Sequence, residues 1–216
     1  MTDHAEPRRV LLIHGLWMPR LSMHWLSRRL REAGFATELF GYPTIAGGPE
    51  AALPMLAQRL RKRPAHVLAH SLGGLVTLTA LESEPDLPVR RVVCLGSPLR
   101  GSAAAQTLAG QAWSKPYLGR SARLLRSGCR PWHGQAAVGM VAGRTPLGLG
   151  RYFGRFDGDN DGTVAVEETR LEGLADHVVI PTSHTGLLFS PDALQLAVGF
   201  FRDGRFPARG SDGGIE

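Results

Sequence analysis

Short apolar runs rich in β-branched residues recur along the chain, with stretches of helical spacing between them. The runs Val10–Ile13, Ala36–Phe40, His66–Ala69, Arg91–Leu95, Ala136–Ala142 and His177–Ile180 read as strands. They lack the strict polar alternation of half-exposed strands, which predicts a parallel sheet covered on both faces. "HWLSRRLREAG" is an amphipathic helix closed by Gly34, and "PEAALPMLAQRLRKR" is a second helix. "LGGLVTLTALESE" is apolar nearly all round and therefore a buried helix. "SPDALQLAVGFFRD" supplies the last helix, with Ser190 as N-cap and Pro191 at its first position. Alternating β and α elements predict a doubly wound, mostly parallel α/β sheet of about six strands. A chain of 216 residues fits one such domain, spanning residues 1–216. The tail at 208–216 is expected to be disordered.

Two stretches break the alternation. Gly101–Gly134 has no clear period and carries Trp113, Tyr117, Leu118 and Trp132. A long irregular insertion in a compact domain is usually a lid or binding loop, so residues 101–135 are expected to form a small cap. The second stretch is the acidic segment "DGDNDGTVAVEE".

Composition narrows the class. With 43% hydrophobic and 20% charged residues the chain reads as an ordinary globular protein. The net charge of +6 sits mainly in "RRLR" (Arg28–Arg31) and "RKR" (Arg61–Arg63). Both runs lie on helical segments, where a solvated face is the plain reading. Weak contact with an anionic lipid surface or an acidic partner is the alternative. No aromatic-plus-basic pattern accompanies the charge, so a nucleic-acid partner is not expected. The two cysteines, Cys94 and Cys129, make no disulfide framework. The first apolar run, four residues long, is too short for a signal segment or a membrane span. A cytoplasmic protein without an integral membrane segment is the expectation.

The chemistry concentrates in "HVLAHSLGG", His66–Gly74. A serine at a tight strand-to-helix turn needs small residues two positions to either side, and Ala69 and Gly73 stand there, giving A-x-S-x-G. Such a turn lifts the Ser71 hydroxyl above the sheet and aims the N–H of Leu72 at any oxyanion formed beside it. The competing reading is an ordinary serine capping a buried helix. A second segment, "LLIHGLW", ends a strand in His14-Gly15, where glycine lets the backbone approach a ligand closely. No phosphate-binding lysine loop and no G-x-G-x-x-G after a strand is present, so no cofactor is expected. No metal site is assigned.

With H-G after an early strand and a serine turn some sixty residues later, the chain resembles the α/β-hydrolase superfamily, and within it the small bacterial lipases and esterases. The resemblance implies an α/β-hydrolase fold and makes the N–H of Leu16 a second oxyanion donor. "GSPLRGS", Gly96–Ser102, is similar to the loop these lipases carry after the strand that follows the serine turn. In this fold the chain order is serine, acid, histidine. Of eight histidines, His177 and His184 follow the acidic cluster. His177 opens a strand, whereas His184 lies in the loop beyond it, where the family places its base. His14 and His70 are read as flanking residues. Asp157, Asp159 and Asp161 are all candidates for the acid. The resemblance favours Asp161, because these lipases carry N-D-G-x-V at the acid turn and Asn160–Val164 reads "NDGTV". A calcium loop competes, since Asp157, Asp159, Asp161, Gly162 and Glu168 satisfy D-x-[DN]-x-[DN]-G-x5-E. The glycine-rich "GRTPLGLGRYFGRF" before it cannot supply the flanking helix that such a loop needs.

The expected activity is hydrolysis of a small-molecule acyl ester through a Ser71–His184–Asp161 triad. Leu16 and Leu72 would donate to the oxyanion, and Trp17, Met18, Trp113 and Tyr117 would line the acyl site. A thioesterase or amidase would use the same groups, and a catalytically silent binding module is the rival from another class.

Overall fold

Along the first strand, Leu11 and Ile13 pack into one helical layer while Val10 and Leu12 pack into the other, so a single apolar run serves two cores. The same division runs through the whole sheet in the structure, a computed structural model describing residues 8–44, 47–109, 120–147 and 158–208. The strands are β1 (Arg9–Ile13), β2 (Ala36–Phe40), β3 (Ala65–His70), β4 (Val89–Leu95), β5 (Ala137–Gly143) and β6 (Asp176–Ile180). They form one sheet in the order β2-β1-β3-β4-β5-β6, every neighbouring pair parallel. All six expected strands are present, each end within two residues of its expected place.

Helices α1 (His24–Glu32), α2 (Gly48–Leu60) and α3 (Leu72–Ser83) follow β1, β2 and β3 in turn. The chain then adds α4 (Ala103–Ala109), α5 (Ser121–Ser127), α6 (Val166–Thr169) and α7 (Pro191–Asp203). Leu26 and Leu30 of α1 join Leu196, Phe200 and Phe201 of α7 against one face of the sheet. Leu56 and Leu60 of α2 join Leu72, Leu75 and Val76 of α3 against the other. Helix α3 is buried nearly all round, which accounts for its lack of a polar face. Gly139 of β5 leaves room for α7, since a Cβ there would lie 2.6 Å from the Phe200 ring. The last helix is capped as its sequence predicts: Ser190 Oγ accepts the N–H of Ala193 at 3.1 Å, and Gly204 closes it at φ 76°.

The strand order reverses direction between β1 and β3, because the chain builds β2 on one side of β1 and then β3 on the other. At such a switch point the loops leaving the carboxyl ends of two adjacent strands part and open a crevice. The segments "HGLW" after β1 and Ser71 after β3 both leave the sheet there.

The stretch expected to be irregular contains two short helices, α4 and α5, which pack on each other. Ser121 Oγ at the start of α5 donates to the carbonyl of Thr44 at 2.6 Å, tying this region to the loop after β2. Trp113 and Tyr117 lie outside the described residues, as do 209–216 of the expected tail. Trp132 is buried in the core beside α2 and α3, with its indole N–H on the carbonyl of Ala136 at 2.8 Å. Among the described residues, no helix is long and apolar enough to cross a membrane.

Candidate active site

β3 ends at His70, α3 begins at Leu72, and the single residue between them, Ser71, has φ 54° and ψ −123°. Among the described residues only Ser71 and Trp17 combine a side chain with positive φ. A conformation this unfavourable for an L residue persists only where its surroundings hold it. Here the N–H of Ser71 donates to the carbonyl of Leu95 on β4 at 2.9 Å, and the carbonyl of Ser71 accepts from Gly74 at 3.0 Å. Ser71 occupies the N-cap position of α3, yet its hydroxyl makes no capping bond.

The turn is possible because two glycines clear space for it. A Cβ on Gly73 would sit 2.7 Å from the carbonyl oxygen of Ile13 and 2.9 Å from that of His14. A Cβ on Gly15 would sit 2.9 Å from the Cβ of Ser71. The first turn of α3 and the loop after β1 are thus pressed together, with Leu16 one residue beyond the contact. Leu72 is the first residue of α3, and the opening N–H groups of a helix have no partner within it. His14 shapes the same loop. Its Nδ1–H donates to the carbonyl of Gly15 at 2.9 Å, and its ring stacks on Tyr42 at 4.7 Å. Burial lowers the pKa of His14 and keeps the ring neutral. Trp17 is 48% exposed, while Met18 packs against the core beneath α1.

Asp161 lies beyond β5 and His184 beyond β6, and their side chains meet. Asp161 Oδ2 accepts from His184 Nδ1 at 2.7 Å, with Asp161 only 1% exposed. Oδ1 of the same carboxylate accepts the N–H groups of Thr163 at 2.9 Å and Val164 at 2.8 Å. These bonds are the local product of "NDGTV": Gly162 takes φ 89°, and Asn160 Oδ1 accepts its N–H at 3.0 Å. Since a carboxylate only accepts, Nδ1 of His184 carries the proton and Nε2 is left with its lone pair. Gly96, at the end of β4 with φ 57°, lies against this pair. A Cβ there would be 3.1 Å from both Asp161 Oδ2 and His184 Nδ1. On the other side stands His70, its ring 4.7 Å from that of His184 and its Nε2 3.0 Å from the carbonyl of His184.

His177 belongs elsewhere. Its Nε2 meets Thr169 Oγ1 at 2.9 Å, and because that hydroxyl donates to Val166, the histidine is the donor. The residues of the calcium pattern are also otherwise engaged. Glu168 accepts the N–H of Ala103 at 2.6 Å with one oxygen and that of Ala165 at 3.0 Å with the other. Asp159 is exposed, and Asp157 lies outside the described residues. Among the described residues, no group of three acidic, histidine or cysteine side chains is placed to hold a metal ion.

Sequence reasoning weighed Glu168 only as a calcium ligand; its hold on the N–H of Ala103, the first residue of α4, and of Ala165, the N-cap of α6, shows only in three dimensions. The contact of His70 with His184 was likewise hidden, although His70 adjoins Ser71. A groove of about 520 Å3, lined by Pro64, Leu81, Arg90, Trp132 and neighbours, lies at the amino ends of β3 and β4, the opposite edge from Ser71.

The sequence matches the alpha/beta hydrolase family over residues 10–205. A comparison with curated proteins finds no match. Among solved structures, the mature lipase BlEst2 of Bacillus licheniformis superposes with a TM-score of 0.71 at 20% identity, over 87% of this chain and 89% of the lipase. NosK of Streptomyces actuosus gives 0.61 at 17% identity, over 93% of this chain and 99% of NosK. The phospholipase PlaB of Legionella pneumophila gives 0.58 at 15% identity, over 85% of this chain but 54% of PlaB. At these identities the likeness is one of fold.

Proposed function

The chain belongs to the alpha/beta hydrolase family, and on that premise we propose that it is a serine hydrolase cleaving carboxylic esters. The observation that carries the reading is the Asp161–His184 bond, packed against the residue that precedes the strained Ser71 turn.

In the proposed reaction, Nε2 of His184 takes the Ser71 proton as Oγ attacks the ester carbonyl. Asp161 holds the ring in the tautomer that leaves Nε2 free to accept, and stabilises the imidazolium that forms. The N–H groups of Leu16 and Leu72 receive the oxyanion, each donor contributing on the order of 3 kcal/mol to the transition state. The imidazolium then protonates the leaving alcohol, and water activated by the same histidine releases the acid. No cofactor enters this scheme.

For the substrate we infer a small-molecule acyl ester, with residues 101–135 acting as a cap. The position of α4 and α5 between β4 and β5 supports the cap, and exposed Trp17 beside Leu16 supports an apolar approach to Ser71. Leu21, Phe189 and Leu147 are also exposed, in the segments that follow β1, β6 and β5, the first two within short 3-10 turns. With the arginines of α1, they support weak contact with an anionic lipid surface. A cytoplasmic location belongs to this reading, supported by Cys94 and Cys129, which are both free thiols.

A fluorophosphonate probe and p-nitrophenyl esters of increasing acyl length test the proposal together. The wild-type protein should be labelled and should hydrolyse the esters. Ser71→Ala and His184→Ala should each remove labelling and lower kcat by several orders of magnitude, with the double variant little worse. His177→Ala should keep both. A wild-type protein that neither labels nor turns over any ester, thioester or amide would leave the fold as a silent module.

A further inference from the structure

Three bonds hold the backbone and ring of His184. Two come from Asp161: the ring bond to Oδ2 at 2.7 Å, and a main-chain bond from the N–H of His184 to the carbonyl of Asp161 at 2.9 Å. The third comes from His70, whose Nε2 stands 3.0 Å from the carbonyl oxygen of His184. Asp161 sits on its own turn after β5, whereas His70 is the last residue of the strand that delivers Ser71. We propose that His70 is a positioning residue for the base: through its Nε2–H it fixes His184 relative to the hydroxyl of the adjacent Ser71. This rests on the hydrolase reading above.

The protonation of His70 follows from its surroundings. A carbonyl oxygen only accepts, so Nε2 carries the proton. Burial, with smaller effects from the imidazoles of His184 and His14, lowers the pKa of His70 to about 3, although its bond to the His184 carbonyl works in the other direction. The ring is therefore neutral, with Nδ1 as a bare lone pair. That Nδ1 is buried and has no hydrogen-bond partner among the described residues, facing Gly15. Burying an unpaired acceptor is unfavourable, and phenylalanine would fill the same space without it. The Nε2–H bond to His184 is what the imidazole supplies and an apolar ring cannot.

The groups around His70 bear on the chemistry in two ways. His14 and Gly15 face it from the loop after β1, and His184, with Asp161 behind it, from the opposite side. When His184 takes the Ser71 proton, an imidazolium forms with its ring centre 4.7 Å from that of His70. A neutral His70 does not oppose that charge. Its bond also sets the reach of His184 to Ser71, and displacements near 1 Å in such a contact cost about a hundredfold in rate.

The test compares His70→Phe, His70→Gln and His70→Asn. Two quantities are read: steady-state hydrolysis of p-nitrophenyl butyrate, and the far-downfield NMR resonance of the proton between His184 and Asp161. Phenylalanine keeps the volume and removes the donor. It should lower kcat about a hundredfold with KM within about twofold of wild type, and broaden or remove the resonance. Glutamine carries an amide N–H to nearly the position of Nε2, and should restore at least about tenfold of the loss together with the resonance. Asparagine is too short and should not. The proposal is overturned if folded His70→Phe keeps wild-type kcat and resonance, or if His70→Gln is as impaired as His70→Asn. Should the phenylalanine variant fail to fold, the glutamine–asparagine pair decides. Should the wild type hydrolyse no ester, the hydrolase reading fails while the resonance still reports on His70.

Discussion

Asp161 grips His184 at two points, carboxylate to ring at 2.7 Å and carbonyl to main-chain N–H at 2.9 Å, so one residue holds both the ring and the backbone of the histidine. Asp161→Asn should preserve the turn, because the amide oxygen can still accept from Thr163 and Val164. Its NH2 group would then face Nδ1 and impose the wrong tautomer. The expected result is a fall in kcat of about 10,000-fold with a small change in melting temperature. Glu168→Gln should behave in the opposite way. One of the two N–H groups it caps loses its acceptor, costing about 1–3 kcal/mol of stability while kcat is largely kept. Chelators should leave melting unchanged. Equal loss of kcat in the two variants, or chelator-sensitive melting, would return the segment to the calcium reading.

The glycine at the Ser71 turn offers a test of a different kind, since its constraint is backbone against backbone. A Cβ at Gly73 would meet the carbonyl oxygens of Ile13 and His14 at 2.7 and 2.9 Å. Neither oxygen can swing away as a side chain could. Gly73→Ala should push the loop carrying Leu16 away from Ser71, lowering both melting temperature and kcat, the latter by tens-fold through displacement of the proposed oxyanion donor. A variant with normal kcat and normal melting would mean that the loop after β1 is not held by this contact.

How much of this was legible beforehand depends on the range of the signal. The strands were visible because a buried parallel strand is a dense apolar run, and Val10–Ile13 or Val92–Leu95 can hardly be anything else. Ser71 and Asp161 stood out as candidates because each sits in a local turn with its own residue pattern, and His184 because it lies in the loop beyond the last strand, where the resemblance places a base. The short helices were not. "AAAQTLA" and "SARLLRS" run barely two turns each, too short for an apolar period to emerge. Trp132 carried no local sign of lying in the core; its place depends on Ala136 and the packing of α3. His70 and Glu168 act on residues 114 and 65 positions away, a separation at which one sequence leaves no trace.

Acid should weaken the fold through its buried histidines. Burial lowers the pKa of His70 to about 3 and also lowers those of His14 and His177. Above the ordinary histidine value near 6.5, folded and unfolded chains both hold these rings neutral. Below it the unfolded chain takes up protons that the folded chain refuses, so stability drops as pH falls, down to about 3 for His70. Glu168 works against this trend, since its raised pKa lets the folded state bind a proton first. Urea midpoints measured from pH 7.5 to 4.5 should therefore decline with acid, and His70→Gln should flatten the slope. An unchanged slope in that variant would mean that His70 is not the buried titrating group.

The last expectation concerns the surface around the Ser71 crevice. Trp17, Leu21 and Phe189 are 48%, 65% and 53% exposed, and the Phe189 ring lies 6.4 Å from that of Trp25 at the start of α1. Arg29 lies over the Trp25 ring at 5.6 Å, and Arg28 and Arg29 both pair with Glu32, leaving this helix with a net positive charge. Apolar tips flanked by arginines suit the boundary of an anionic bilayer, where each arginine near the surface contributes about 1 kcal/mol. Ser71→Ala protein, which lacks the proposed nucleophile, should sediment with phosphatidylglycerol-containing vesicles more than with pure phosphatidylcholine, and less so in high salt. Trp17→Ala and Phe189→Ala should each reduce that binding without altering hydrolysis of a water-soluble acetate ester by more than a few-fold. Equal sedimentation with both vesicle types, or none with either, would assign these side chains to a soluble acyl substrate alone.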